Sequence, residues 1–160
     1  MANPVTVTKF QVKSHNSPDE VRSPNKTRVE VVQLDGVTMG RFNFEPGWCW
    51  SECVKPVVKT DHCQVSHVGY AVSGQLTVRM TDGTEKTITA GESYTIPPGH
   101  DAWVEGNEPY VGIEVMSAEA TYWPGKPAKE QNLRMKLVLY VMPQPGAQVV
   151  IPFHKCAATL

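Results

Sequence analysis

Short runs of alternating apolar and polar residues, separated by turn residues, dominate this chain. The clearest example joins Val78–Thr81 to Thr84–Ile88 through Asp82-Gly83, a dipeptide typical of tight hairpin turns. Segments with the 3.6-residue period of an amphipathic helix are not evident. Strands at regular spacing with turns between them favour a sandwich or a closed barrel. The pattern therefore predicts an all-β domain of at least eight strands in two facing sheets.

The two ends of the chain differ from this central pattern. Residues 1–27 are polar and predict an N-terminal arm, in which Val5–Val12 could form a strand. The barrel is expected over 28–117, followed by a C-terminal extension over 118–160. In that extension Arg134–Met142 is too apolar to lie exposed in water. Either it adds strands to the barrel, or it contacts a second copy of the chain, and a homodimer is the expected state.

Composition excludes several partners. Among the 160 residues the formal net charge is −1, and Lys and Arg are scattered, so no basic surface for nucleic acid is predicted. No apolar run is long enough to span a membrane, and the first residues lack a secretion signal. We therefore expect a cytoplasmic protein with no membrane partner.

The four cysteines, at 49, 53, 63 and 156, contain no Cys-x-x-Cys pair. The alternation predicts a strand over 48–54, which would hold Cys49 and Cys53 about 13 Å apart, too far for a disulfide. Reduced thiols are expected in a cytoplasmic protein.

Two sequence motifs resemble those of the cupin family, whose small β-barrels hold a metal or a small ligand. Gly91, Pro97 and Gly99 have the spacing of the second cupin motif, Gly-x5-Pro-x-Gly, and His67 lies seven residues before Gly74, as the glutamate of the first motif does. The resemblance implies a double-stranded β-helix, or jelly-roll barrel.

The family's metal ligands are largely replaced in this chain. By the resemblance, the usual three histidines and one glutamate correspond to Cys53, Lys55, His67 and Ala102. The side chains of Cys53, Lys55 and His67 are predicted to converge in one cavity. Because an alanine supplies no donor and a lysine repels a cation, the resemblance favours no bound metal. A chelator is then expected to shift the melting temperature by about a degree or two at most.

A metal centre is the alternative. If one is present, zinc or iron would be held by the cysteine and histidine side chains of this region. The candidate ligands are Cys53, Cys63, His67 and His100.

Proton transfer is the chemistry that a metal-free lumen suggests, with His67 and Lys55 as the candidate catalytic residues. The alternative for Lys55 is an ion pair with a nearby carboxylate, Asp61 among them. The candidate ligand-binding residues are Cys53, His100, Asp101, Tyr70 and Trp50. Trp50 shares a predicted strand face with Trp48, so the two rings could form a stacking wall for a ligand, or they could pack between the sheets.

The sequence thus predicts a cupin-like barrel that binds a small organic molecule, with an anionic ligand as one option. Whether it is an enzyme stays open, and isomerase- or lyase-type proton transfer is the favoured reaction. The alternatives are a zinc- or iron-dependent cupin enzyme such as a dioxygenase, and a ligand sensor without catalysis.

Overall fold

Antiparallel hairpins build the protein, for which a computed structural model describes residues 6–116. Within that range the chain forms nine strands and two one-turn helices. In chain order they are β1 (Glu20–Arg22), β2 (Thr27–Leu34), β3 (Val37–Phe44), α1 (Trp50–Cys53), α2 (Lys55–Val58), β4 (His67–Ser73), β5 (Gln75–Met80), β6 (Glu85–Thr89), β7 (Ser93–Ile96), β8 (His100–Val104) and β9 (Tyr110–Met116). None of the described helices is long and apolar enough to cross a membrane. Arg134–Met142 lies outside the described residues.

The strands form a six-stranded sheet, in the order β1-β2-β3-β9-β4-β7, and a three-stranded sheet, in the order β6-β5-β8. The buried core takes residues from both sheets, among them Ala71 of β4, Leu76 of β5 and Val104 of β8. Ala102 of β8 is buried as well. The predicted all-β architecture in two sheets is confirmed.

The β5–β6 hairpin forms where the sequence predicts it. The amide of Met80 donates to the carbonyl of Thr84 at 2.8 Å, and the side chain of Asp82 accepts from the amide of Thr84, also at 2.8 Å. Gly83 has φ = 87°, a conformation that glycine adopts without a steric penalty. Local turn chemistry therefore sets the register of the β5–β6 pair.

Residues 48–54 are not the strand that the alternation predicts. Cys49 makes one isolated bridge to Trp103, and α1 then begins at Trp50. A carboxylate oxygen of Asp101 accepts from the amide of Ser51 at 3.1 Å, which satisfies a helix-end donor without a strand partner. Pro56 lies in the first turn of α2, where its missing N–H costs nothing. The short apolar alternation here belongs to two helical turns.

Two of the cysteines are free thiols as predicted, namely Cys53 and Cys63, and both are buried. Cys49 is disulfide-bonded, so the prediction of reduced thiols throughout the chain is wrong at that position.

Thr6–Val12 does not form the strand that was considered for Val5–Val12. The amides of Thr8 and Lys9 donate to the carboxylate of Asp35, at the turn between β2 and β3. A side chain therefore satisfies these amides, and they are not available to a neighbouring strand.

A buried carboxylate ties β2 to β3. Glu30 is 5% exposed and accepts hydrogen bonds from Arg28 at 2.7 Å, from Asn43 at 3.1 Å and from the guanidinium of Arg41. The hydrogen bond from Arg41 is the largest cause that lowers the pKa of Glu30, from 4.5 to about 2, against the opposing effect of burial. The charged form is thus favoured by folding.

Acid should weaken the fold through Glu30. Because the folded pKa lies below the ordinary value of 4.5, the contribution of Glu30 to the free energy of unfolding is complete above about pH 4.5 and is lost as the pH falls towards 2. We expect Glu30→Gln to be less stable than the wild type at neutral pH and to lose stability less steeply over this interval. Urea unfolding across a pH series measures both effects. Glu108→Gln, which removes an exposed carboxylate, is the control, and equal slopes for the wild type and Glu30→Gln would contradict the prediction.

Candidate metal centre

Three potential metal ligands converge at one end of the barrel. They are Cys63, His67 and His100, and their ligand atoms all lie within 4.8 Å of one another. His67 is the first residue of β4 and His100 the first of β8. Cys63 belongs to the loop before β4, and its backbone holds it beside β8: its amide donates to the carbonyl of His100 at 2.9 Å, and its carbonyl accepts from Gly99 at 2.7 Å. Backbone pairing thus fixes the position of the thiol.

Each imidazole is oriented by a hydrogen bond that its Nδ1 donates. Nδ1 of His100 lies 2.7 Å from the carbonyl oxygen of Pro97, which can only accept, so Nδ1 carries the proton. Nδ1 of His67 lies 2.8 Å from Oε2 of Glu114. The other nitrogen of His67, Nε2, is 3.5 Å from Sγ of Cys63. This arrangement leaves the Nε2 atoms for a shared ligand, and second-shell partners of this kind are typical of metal-binding histidines.

Glu114 connects this cluster to Tyr94, next to which a second tyrosine, Tyr110, is buried. Its Oε1 accepts from the hydroxyl of Tyr94 at 2.9 Å, and its side chain is 11% exposed. The hydroxyl of Tyr110 is buried near Tyr94 without a hydrogen bond of good geometry among the described residues. Glycines make room for both rings: a Cβ on Gly69 would lie 2.6 Å from the Tyr94 hydroxyl, and one on Gly112 would lie 2.8 Å from that of Tyr110.

The electrostatics of the cluster favour a thiolate. Burial acts to raise the pKa of Cys63, but hydrogen bonds with His100 and His67 outweigh it and lower that pKa to about 6. Burial likewise acts to lower the pKa of His67, but the charge of Glu114 and the hydrogen bond to Cys63 raise it to about 10. Without a metal, a thiolate and an imidazolium therefore face each other at neutral pH. The thiolate is also the form that binds metals.

The tyrosines keep their protons. Burial, with the charge of Glu114, raises the pKa of Tyr94 far above its ordinary value, and burial raises that of Tyr110 to about 12. Tyr94 is therefore a phenol that donates to Glu114.

Cys53 and Lys55, predicted to converge with His67, lie elsewhere. Sγ of Cys53 is buried on α1, 3.9 Å from the side-chain amide of Asn25. Nζ of Lys55 is 3.3 Å from Asp61, and the lysine side chain is 43% exposed. The expected convergence is therefore corrected: because residues 50–58 form helical turns, these side chains do not share a strand face with His67. The ion pair considered for Lys55 in the sequence is the arrangement found.

The remaining predicted ligand-binding residues serve packing or face outward. Asp101 is buried, and its Oδ1 accepts from the amides of Ser51 and Ala102. Trp50 is buried in the core, and the neighbouring Trp48 stacks on Phe44 at 3.9 Å, which favours the packing interpretation of the two rings. Tyr70 is 47% exposed on β4. Of that predicted set, only His100 joins the cluster.

Sequence reasoning missed Glu114 and Tyr94. A signal for Glu114 is present, because it lies two residues after Gly112 and four after Tyr110, which share one face of β9. A single acidic residue at an inward position of an apolar strand predicts a specific partner.

The donor set of one thiolate sulfur and two imidazole nitrogens fits zinc. Three protein ligands leave one tetrahedral position open, as in catalytic zinc sites. The oxygenase iron site requires two histidines and a carboxylate as ligands. Here the carboxylate of Glu114 is hydrogen-bonded to His67 and Tyr94 instead. The residues present therefore fit zinc better than oxygenase iron.

Solved structures from several bacteria are similar to this chain. A protein of unknown function from Rhizobium leguminosarum bv. viciae 3841 superimposes with a TM-score of 0.51 at 23% identity, over 68% of this chain and 96% of its own. KdgF from Halomonas sp. has a TM-score of 0.49 at 14% identity, over 68% and 92% of the two chains. A Klebsiella pneumoniae protein with a double-stranded β-helix domain has a TM-score of 0.46 at 19% identity, over 67% and 89%.

No protein-family model matches the sequence, and no curated protein is significantly similar to it. The structural likeness shows the fold alone. This chain has the double-stranded β-helix fold, as the Gly-Pro-Gly motif at residues 91–99 predicts.

Proposed function

We propose that the barrel binds one Zn²⁺ through Cys63, His67 and His100 and presents it to a small organic ligand. The carrying observation is that their ligand atoms lie within 4.8 Å of one another while a hydrogen bond orients each imidazole through Nδ1. A metal-free barrel was expected because positions 55 and 102 hold a lysine and an alanine. The three potential ligands of the cluster lie at other positions. Lys55, paired with Asp61, has no part in this proposal.

A bound zinc ion supplies Lewis-acid polarisation of a coordinated oxygen and lowers the pKa of coordinated water. The protein's own residues would position the ligand and hold protons beside it. Glu114 orients His67, and Tyr94 remains a phenol in contact with that carboxylate. The buried Tyr110 hydroxyl is a further donor that a ligand or an ordered water could satisfy. This makes metal-dependent chemistry on a small oxygen-bearing molecule the best-supported activity.

Elemental analysis of protein purified without an affinity tag tests the zinc site. We expect about one zinc ion per chain in the wild type and a large loss in Cys63→Ser, because a hydroxyl replaces the thiolate ligand. Cys53→Ser is the matched control: it alters the other free buried cysteine, outside the cluster, and should keep its zinc.

Cobalt substitution adds a spectroscopic test. The wild type and Cys53→Ser should show thiolate-to-cobalt charge transfer in the near ultraviolet, and Cys63→Ser should not. Zinc far below one ion per chain after growth in zinc-supplemented medium would contradict the proposal, as would equal zinc content in wild type and Cys63→Ser.

A further inference from the structure

A cavity of about 620 Å³ is lined by residues of β5, β6 and β7 and of the turns next to them. This volume is in the range of small-molecule sites. Its walls are mostly apolar, with hydroxyl groups of serine and threonine at intervals. The apolar and aromatic lining residues are Val78, Met80, Ile88, Tyr94, Ile96 and Pro97.

Strand register places this cavity against the candidate zinc site. Ile96 of the lining is the direct β-partner of His67, and Met80 is the direct partner of His100. The carbonyl of Pro97, another lining residue, accepts from His100 at 2.7 Å. Both histidines are therefore paired with residues that line the cavity, and a molecule bound there could extend towards a metal held by them.

Tyr94 gives a second link between the cavity and the cluster. The residue lines the cavity, and its hydroxyl donates to the same carboxylate that orients His67. A ligand in the cavity would thus lie beside a polar group that is coupled to a candidate zinc ligand.

One cationic side chain lines the cavity. Lys86 is opposite Val78 in the β5–β6 ladder and two residues before the buried Ile88, so it lies on the strand face that turns inward. The residue is exposed, and among the residues described it has no ion pair. Glu92 also lines the cavity, and one oxygen of its carboxylate accepts from the amide of Thr89 at 2.7 Å, so this side chain is held at the β6–β7 turn. The ammonium group of Lys86 has neither a hydrogen bond nor an ion pair among the described residues, which makes it the cavity's candidate for binding an anionic group.

We infer that this cavity takes a small carboxylic acid, whose carboxylate pairs with Lys86 and whose other end carries an oxygen that binds the zinc. The apolar walls between Lys86 and the histidines suit an apolar middle section. The inference rests on the proposed zinc site and adds a ligand class and a residue that selects for it. It predicts a preference for acids over the matching neutral molecules.

Paired hydroxamates test this inference, because a hydroxamate binds zinc whatever is attached to it. Each pair consists of an alkyl hydroxamate with a terminal carboxylate and the same molecule with a terminal methyl group, over a series of chain lengths. Calorimetry at low ionic strength on the zinc-loaded protein measures both affinities. At the matching length the carboxylate should improve affinity about fivefold, since the charge pair is partly exposed, and added salt should reduce the gain.

Variants of Lys86 test whether this side chain causes the preference for the carboxylate-ended probe. Lys86→Met should remove the preference for the carboxylate without changing zinc content or the affinity for the methyl-ended probe. Lys86→Glu should reverse it, favouring a probe with a terminal ammonium group. Lys9→Met, which removes an exposed lysine outside the cavity, is the matched control and should behave as the wild type does.

The outcomes separate this inference from the zinc site. If methyl-ended and carboxylate-ended probes bind the zinc protein equally at every length, or if Lys86→Met keeps the preference, the inference is overturned while the zinc site stands. If the wild type holds no zinc, both are overturned.

Discussion

Glu114→Gln should weaken zinc binding by about 10- to 100-fold, the range for loss of an outer-shell partner, although Glu114 is not a predicted ligand. Its carboxylate accepts from Nδ1 of His67 at 2.8 Å and from Tyr94 at 2.9 Å. The amide of glutamine keeps the shape but lacks the negative charge. His67 then loses the negatively charged partner that makes its Nε2 a stronger metal ligand, and its ring is less firmly oriented.

Competition with a fluorescent zinc chelator measures this change in affinity. Glu30→Gln is the control, because it neutralises another buried glutamate, which bonds to Arg28 and Arg41 outside the cluster. It should lower the free energy of unfolding but leave zinc affinity unchanged. Equal zinc affinities in the wild type and Glu114→Gln would show that the carboxylate does not support the metal, and would count against His67 as a ligand.

The strands followed from the sequence because their signals are local. The dipeptide Asp82-Gly83 is by itself a signal for a tight turn, and the alternation on either side determines which residues point inward. The Gly-Pro-Gly spacing at 91–99 likewise places β7 and β8.

The conformation of residues 48–63 could not be predicted from the sequence, because it depends on partners that are distant along the chain. Asp101 supplies the hydrogen bond at the start of α1, and His100 and Gly99 fix the backbone of Cys63. Neither contact is visible from the alternation of Trp48 and Trp50, which is equally compatible with a strand. The sequence therefore identified Cys63 as a possible ligand because it is a cysteine. Only its tertiary contacts show that Cys63, and not Cys53, lies beside the histidines.

The family spacing both helped and misled. It identified His67 as an inward residue, and the structure places it in the cluster. It also directed attention to positions 55 and 102, where a lysine and an alanine argue against a metal. The second histidine lies two residues earlier, at His100, where its ring is 5.2 Å from that of His67. Counting ligand residues only at the motif positions therefore underestimates the number of potential metal ligands that the folded chain brings together.

Removal of zinc should destabilise the protein substantially. A ligand that binds only the folded state adds about 4 kcal/mol of stability when its free concentration is 1,000 times its dissociation constant. For a domain of this size such a loss lowers the melting temperature by roughly 10 °C or more. The metal-free expectation from the sequence is a change of about a degree or two.

Thermal unfolding with and without excess chelator distinguishes the two expectations. The apoprotein should still fold, because the core between the sheets and the contact of His67 with Glu114 do not require a metal. Cys63→Ser, already deprived of a ligand, should melt at nearly the same temperature with and without chelator, and Cys53→Ser should respond as the wild type does. A wild-type melting temperature unmoved by chelator, in protein shown to release no zinc, would restore the metal-free barrel. In that case the thiolate of Cys63 and the imidazolium of His67 would be an ion pair of the folded protein and not a vacant pair of ligands.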